Sequence, residues 1–557
     1  MKVASGEPFV PKSVQCLKQY NFKTFSSDLI AGVTVGLVAL PLAMAFAISS
    51  GVLPQAGIYC AVVAGFLISA LGGSTTQIGG PTGAFVVVVA GIVQKHGMDG
   101  LFMCTMMAGV FLMILGITGL GTAVKFIPRP VVIGFTNGIA VLIASTEIKD
   151  FFGLKVDNVP GDFLGRIQAL VSHWSTYSPV ATITAISVLL TILLVGRFVN
   201  RVPGTIVALV LGTFVVWKFN LPAETIQTRF GGIPSGLPHF AIPVFRPELI
   251  LPLLSPTLTV TMLGAIESLL SAVVSDQMSG DKHNPNVELF AQGVANFCSP
   301  MVGGLPATGA IARTATNIRS GAKTPVAGMI HALTLLAILL VAAPLAKQIP
   351  LCVLAGILMV VSYNMGEWRA IPEILRQSSA EVVVWMITFT LTVFADLSVA
   401  VEAGMILAAL LYIQKVTATT TVTKVTPEYV ESGFEHSLQT NEMPENVVMF
   451  RIHGPFLFGS TDKLSVILDQ LDELPKVVML RLRNMTAIDS TGIHALEDLA
   501  ERLQKTGRAL VLCAPRSQPA DLMMRAEFNK HLGEENIAPT LRLGIQRARE
   551  ILAERGE

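Results

Sequence analysis

The chain has 557 residues, of which 52% are hydrophobic and 14% charged, with a formal net charge of +1 and a mean hydropathy of +0.63. A soluble domain carries about 25% charged residues, so this composition excludes an ordinary soluble protein and points to a membrane protein. The near-zero charge implies no nucleic-acid partner. Six scattered cysteines without a C-x-x-C pattern imply neither a disulfide framework nor a zinc site, and no metal or cofactor is expected.

Residues 1–28, "MKVASGEPFVPKSVQCLKQYNFKTFSSD", lack the apolar core of a cleaved signal peptide. Their lysines, Lys2, Lys12, Lys18 and Lys23, read as a cytoplasmic N-terminal segment under the positive-inside rule. From Leu29 to Gln94, and again from Gly100 to Val124, there is no Asp, Glu, Lys, Arg or His. Since one span needs roughly 20 apolar residues, the first run holds two or more crossings. Apolar segments recur at 29–49, 55–71, 80–94, 99–119, 129–146, 179–196, 203–219, 249–275, 287–302, 308–318, 325–343, 350–364, 381–395 and 397–414, within a transmembrane domain of residues 29–415. Fourteen segments put both termini on the cytoplasmic side of the cell membrane. Lys125/Arg129, Arg197/Arg201, Arg319/Lys323 and Arg369/Arg376 fall in loops that this count makes cytoplasmic; Lys149, Lys155 and Arg246 fall outside.

Within these segments the sequence repeats. Pro54 precedes Gly72-Gly73 by 18 residues, Pro285 precedes Gly303-Gly304 by 18, and Thr-Gly-Ala follows each pair at 82–84 and 308–310. Seven segments per half is odd, so the second half enters the membrane inverted. Paired short segments broken by Gly and Pro point to the binding site of a secondary transporter. Pro81 suits a first helical turn, and the matching helix is expected to begin near Thr308. Two half-helix starts facing each other at mid-membrane form an anion site from backbone N–H groups alone. Thr82 and Thr308 add hydroxyls, and Arg313 reinforces the positive field. The competing reading is that the small residues only permit close helix packing.

Glu267, the only charge between Glu248 and Asp276, is costly in a membrane and reads as functional. It exchanges a proton, or with Ser271 at i+4 helps hold a cation, or is a structural ion pair with Arg313. Asp396 and Glu402 read as a surface turn and His331 as a packed or hydrogen-bonded residue. Nothing resembles a catalytic triad or a nucleotide-binding loop, so an enzyme is not expected.

Residues 416–445 read as a polar linker. From residue 446 to 557 a small α/β domain follows: "NVVMFRIHG", "KVVMLRLRN" and "RALVLCA" as strands, "STGIHALEDLAERLQKTG" and "SQPADLMMRAEF" as helices.

The stretches "GVTVGLVALPLAMAFAISSG", "GGPTGAFVVVV", "GAIESLLSAVVSDQMSG" and "GGLPATGAIARTATNIRSGAKTP", followed by "AIDSTGIHAL", resemble the sulfate permease (SulP) family of anion transporters with a C-terminal STAS domain. The membrane motifs look closest to bacterial dicarboxylate-type members. The resemblance implies a polytopic α-helical membrane protein with 14 transmembrane segments in a 7+7 inverted repeat. It also implies core (gate) and scaffold subdomains, an elevator-like motion, homodimers and a cytoplasmic STAS domain. Carried over by position, the anion contacts Thr82, Gly83, Ala310 and Ile311, with Arg313 below. Glu267 and Ser271 match sodium-binding positions of the bicarbonate transporters, which carry Asp and Thr there and Thr in place of Ile311. Those departures favour a coupling proton over sodium. Ser490 in "DSTG" resembles the phosphorylated serine of anti-sigma-factor antagonists, which implies a cytoplasmic regulator, or it caps a helix. The expected function is transport of a small anionic substrate, sulfate-class inorganic anions first, by proton coupling or exchange. Alternatives are C4-dicarboxylate transport, sodium-coupled bicarbonate transport and, more remotely, a nucleobase symporter or a membrane sensor.

Overall fold

A chain inside lipid must satisfy its backbone polar groups internally, which makes helices the default and allows irregular backbone only where protein surrounds it. The computed structural model describes residues 9–18, 20–122, 128–156, 159–198, 203–232, 236–376, 378–395, 397–425 and 443–555. Lys2, Lys125, Arg201, Asp396 and most of the polar linker lie outside the described residues. The chain divides into two compact units, Met1–Ile406 and Leu407–Glu557.

The first unit opens with α1 (Lys12–Leu17), α2 (Phe22–Ser49), α3 (Pro54–Leu71) and a two-residue strand β1 (Gly79–Gly80). A 3-10 turn (Gly83–Phe85) leads into α4 (Val86–Thr118), followed by α5 (Arg129–Phe152), α6 (Phe163–Ser172), α7 (Pro179–Phe198), α8 (Gly204–Lys218) and α9 (Ile226–Phe230). The second half holds α10 (Ile250–Ser279), α11 (Pro285–Cys298), β2 (Thr308–Gly309), α12 (Ile311–Arg319), α13 (Val326–Ala346), α14 (Leu351–Met365), α15 (Ile371–Leu375), α16 (Ser379–Phe394) and α17 (Leu397–Ala418). Gly97, at φ 68° and ψ −169°, breaks α4 into two. With that break, each of the fourteen apolar segments coincides with one helical stretch. Among the described residues seven helices are long and apolar enough to cross a membrane, and three further apolar helices are shorter.

The helices of this unit pack in two groups. α2, α3, α4, α10, α11, α12 and α13 pack chiefly on one another, as do α5, α7, α8, α14 and α16; α2 and α4 make the lighter contacts between the groups. The pairing of α4 with α11 shows why small residues sit inside the first group: a Cβ at Gly109 would lie 2.7 Å from the Gly293 carbonyl oxygen, and one at Gly293 would lie 2.6 Å from that of Gly109. Backbones this close exclude any side chain at the crossing. On α7, by contrast, Ile183, Leu190 and Leu194 are exposed, as befits a lipid-facing surface.

The repeat is visible in the geometry. Pro54 is the first residue of α3, which ends at Gly72; Pro285 is the first of α11, whose helical run continues through a 3-10 turn (Ser299–Val302) to Gly303. β1 and β2 then pair antiparallel, Gly79 with Gly309 and Gly80 with Thr308.

The second unit carries a five-stranded sheet in the order β3-β4-β5-β6-β7. Its strands are β3 (Thr421–Lys424), β4 (Val447–Phe456), β5 (Val477–Ile488), β6 (Ala509–Cys513) and β7 (Ile537–Ala538). β3 is antiparallel to β4; the other pairs are parallel. The helices are α18 (Ser465–Leu468), α19 (Ser490–Lys505), α20 (Ser517–Arg525), α21 (Phe528–Leu532) and α22 (Leu541–Glu554). Strand alternation sends Phe450, Leu480 and Leu512 to the face packed by Leu496 and Leu499 of α19, and Met449, Met479 and Val511 to the face packed by Ile545 and Ala548 of α22. β3 falls within the stretch read from sequence as linker. Its Thr/Val alternation is a strand pattern, and pairing with β4 gives it a place in the sheet.

Candidate functional site

The two linking strands run where backbone must find partners within the protein, and α10, α11 and α12 supply them. Ser268 Oγ lies 2.7 Å from Thr308 Oγ1 and accepts the Gly309 amide at 3.2 Å, while the Ser268 carbonyl accepts Gln77 Nε2 at 3.0 Å. Ser271 Oγ lies 3.0 Å from Thr314 Oγ1, which accepts the Ile78 amide at 3.0 Å. Asn296 holds Ala307 in both directions, at 2.8 Å each, and Asn317 Nδ2 donates to the Thr76 carbonyl at 2.9 Å. Glu288 accepts the Gly73 amide and Gln292 Nε2, both at 2.9 Å. Ser268, Gln77, Thr314, Asn296, Asn317 and Glu288 went unnoticed in the sequence; their signal is only the excess of small polar residues in apolar helices.

The helix start expected near Thr308 is corrected. α12 begins at Ile311, with Ala310 before it in extended conformation. The reason is that the Thr308 hydroxyl is engaged by Ser268 and donates to the Gly264 carbonyl at 3.1 Å, and the Ala310 amide is spent on the Ile78 carbonyl at 2.8 Å. The two Thr-Gly-Ala tripeptides are therefore not equivalent: 82–84 opens a helix, whereas 308–310 forms β2 and the residue before one.

What faces the crossing is mainly backbone. The first amides of each helix, at Gly83 and Ala84 and at Ile311 and Ala312, meet no acceptor among the described residues. Thr82 Oγ1 is buried without a hydrogen-bond partner. A Cβ at Gly83 would approach Ile143 Cδ1 of α5 at 2.8 Å, Met365 Sδ of α14 at 3.3 Å and Phe46 of α2 at 3.4 Å, so the space before this helix lies between the two helix groups. Ala310 is buried, and Ile311 is 37% exposed.

Arg313 is buried; its Nη2 donates to the Pro81 carbonyl, and its Nη1 has no partner. The guanidinium lies against Gly80, where a Cβ would sit 2.8 Å from Nη1, and near Ala61 of α3. The backbone at Gly80 (φ 148°) and the guanidinium both require glycine there.

Glu267 is buried on α10, but the ion pair with Arg313 weighed from the sequence does not form. Arg313 is turned to the Pro81 carbonyl, and Glu267 has no ion pair among the described residues. Ser271 shares a helix with Glu267, yet its hydroxyl is bonded to Thr314. His331 is fully buried beside Gly65 of α3, and Glu402 is exposed. No cluster of His, Cys, Asp and Glu suited to a metal occurs among the described residues.

The apolar segment 129–146 stops one residue short of Glu147. α5 continues to Phe152, Glu147 is buried, and its Oε1 accepts a 2.6 Å hydrogen bond from Ser49 Oγ of α2. Asn137 of α5 is fully buried with neither amide atom bonded.

In the second unit the cap is not Ser490. Asp489 caps α19, its Oδ1 accepting the Gly492 amide at 2.8 Å and its Oδ2 the Phe458 amide at 3.0 Å. An Asp carboxylate one residue earlier has the reach that a first-turn hydroxyl lacks, and Ser490 is left exposed.

Two opposed half-helix starts at a buried antiparallel crossing, in a chain of fourteen apolar helical stretches, define a polytopic membrane protein built like the secondary transporters. The sulfate permease family matches residues 25–388 and the STAS domain residues 439–543. The chain belongs to the sulfate permease family. It is 39% identical over 521 residues to YvdB, an inferred sulfate transporter of Bacillus subtilis (strain 168), covering 93% of this chain and 97% of YvdB. It is 32% identical over 537 residues to the bicarbonate transporter BicA of Synechocystis sp. (strain ATCC 27184 / PCC 6803 / Kazusa), covering 94% of each. The structure of the murine solute carrier 26 family member A9 anion transporter in the inward-facing state shares the fold, with a TM-score of 0.86 at 17% identity over 97% of this chain and 94% of that one.

Proposed function

We propose that this protein is a secondary transporter of small inorganic anions of the sulfate and bicarbonate class, with the anion held before Gly83 and Ile311. The observation that carries this reading is the pair of helix starts whose first amides meet no acceptor. They offer donors and positive dipole ends to a ligand that brings acceptors and negative charge. Thr82 adds its unpartnered hydroxyl, and Ala310 and Ile311 line the second start. Arg313 adds field from behind β1 rather than direct contact. The names of YvdB and BicA support the substrate class. The position of Gly83 between the two helix groups supports an elevator-like displacement of one group past the other. A homodimer with both termini cytoplasmic is part of the same proposal.

Glu267 is the group proposed to carry the coupling proton: no cation pairs with it among the described residues, and Ser271 is engaged with Thr314. Likeness to BicA favours sodium-coupled bicarbonate transport as a second reading. Purified protein in proteoliposomes, given labelled sulfate or bicarbonate under an imposed proton or sodium gradient, separates them. Uptake with a proton gradient alone supports the first; a strict sodium requirement supports the second. Absence of uptake and exchange for every anion tested would refute transport. Ser490, exposed at the start of α19, is proposed as a phosphorylation site for a cytoplasmic regulator.

A further inference from the structure

Away from the helix crossing, a cavity of about 610 Å³ opens between α1, the start of α2 and the loops before α11 and α13. Its walls are fixed by hydrogen bonds. The Lys12 amide donates to the Gly72 carbonyl at 3.0 Å and Ser13 Oγ to the Ala70 carbonyl at 2.6 Å, which seats α1 on the end of α3. Asp28, fully buried, accepts the amides of Lys323 and Thr324 at 2.7 and 3.1 Å and the Tyr20 hydroxyl at 3.2 Å.

The charge in the cavity is unbalanced. The one carboxylate lining it, Asp281, is paired with Lys12 Nζ at 2.9 Å. The carboxylate behind the wall, Asp28, is occupied by the donors just named. Lys23 and Lys323 also line the cavity, and neither ammonium has a carboxylate partner among the described residues. On the two helices that wall the cavity, Leu17 of α1 is 54% and Phe22 of α2 83% exposed, Phe22 directly preceding Lys23 in the chain. An anionic cavity ligand with an apolar extension satisfies both features.

We propose that this cavity binds a phosphate-bearing anionic ligand, presented by the membrane as the headgroup of an anionic phospholipid. Lys23 and Lys323 meet the phosphate, and Leu17 and Phe22 lie along the lipid. The volume exceeds what a single tetrahedral anion fills, and a basic pocket at the membrane surface beside an apolar helix face is the arrangement that recognises such lipids.

The test uses the full-length protein in neutral detergent, with binding read by native mass spectrometry and thermal shift and no transport measured. The probes are dioctanoyl phosphatidylglycerol, dioctanoyl phosphatidylcholine and glycerol 3-phosphate. Phosphatidylglycerol is expected to bind and raise the unfolding temperature, the other two far less. The double variant K23A/K323A is expected to weaken phosphatidylglycerol binding about 10- to 30-fold, as two surface lysines do. K282A, an exposed lysine outside the cavity, should leave it unchanged. If the double variant unfolds, K23Q/K323Q replaces it. Wild-type affinity in the double variant, or equal loss in K282A, would overturn the site. Equal binding of glycerol 3-phosphate would overturn the lipid as its source. Because flux is not measured, failure here is separable from failure of the transport reading.

Discussion

Ser49 Oγ of α2 and Glu147 Oε1 of α5 are 2.6 Å apart, a hydrogen bond that joins one helix group of the membrane unit to the other. Glu147 also accepts from Thr146 Oγ1 at 3.2 Å. The nearby cation Arg229 is bonded to Asp150 at 2.8 and 2.9 Å, and Arg166 to Ser145 and the Gly161 carbonyl. Removing the donor leaves a buried carboxyl short of a partner, at a cost of about 1.5–3 kcal/mol. Ser49→Ala is therefore expected to lower the unfolding temperature. If the groups slide during transport, it should also change the turnover rate more than the KM, measured in proteoliposomes. A variant with both quantities at wild-type values would show the bond to be incidental.

Arg313→Ala should weaken anion binding about tenfold or more, as loss of a desolvated positive field does, and Arg313→Lys should recover part of it. Labelled sulfate and bicarbonate uptake as a function of concentration reads this. Unchanged apparent affinity with lowered stability would make the Pro81 contact structural only.

Glu267→Gln removes the titrating group while keeping shape. Accumulation driven by a proton gradient should vanish, while exchange of labelled for unlabelled anion persists. Ile311→Thr with Glu267→Asp restores the hydroxyl and the shorter acid. Sodium stimulation in that double variant, absent from the parent, is the expected result.

At the membrane end that carries α1, burial tends to raise the Asp281 carboxyl, but hydrogen bonding and charge from Lys12, with the Lys282 amide, outweigh it and hold it below its ordinary value. A depressed folded-state value stabilises the pair above the unfolded carboxylate value of about 3.9, and that stabilisation is lost as pH falls through the lower folded value. Cleavage near α1 by an acid-active protease should therefore rise below about pH 4. In Asp281→Asn a protease active at neutral pH should cut near α1 already at pH 7, where the parent resists it.

Asp489→Ala should destabilise the start of α19 by about 0.5–2 kcal/mol, seen as faster amide exchange at Gly492 and Phe458, whereas Ser490→Ala leaves exchange there unchanged. The reverse order would restore Ser490 as the cap.

Much of this protein follows from local chemistry. Long runs without charge exclude water-facing loops, so the fourteen segments can be read directly. Pro54 and Pro285, each lacking an N–H, open helical runs whose equal spacing to Gly72 and Gly303 marks the repeat. The alternation in "KVVMLRLRN" likewise foretells a two-faced strand.

What stayed hidden depends on partners remote in the chain. α12 starts at Ile311 because Ile78, over two hundred residues earlier, takes the Ala310 amide. Glu147 lies just past an apolar run until Ser49 is brought against it, and a pairing of Arg313 with Glu267 stays one open alternative until Pro81 takes the guanidinium. The sequence by itself determined which segments are apolar, that it repeats, and which backbone is interrupted, because hydropathy and the special geometry of Pro and Gly act within a few residues. Which amides remain unspent at the crossing, and which buried charges face one another, only the tertiary structure decided. Hydrogen bonds in a water-poor interior are allotted among neighbours in space, and the order of residues does not name those neighbours.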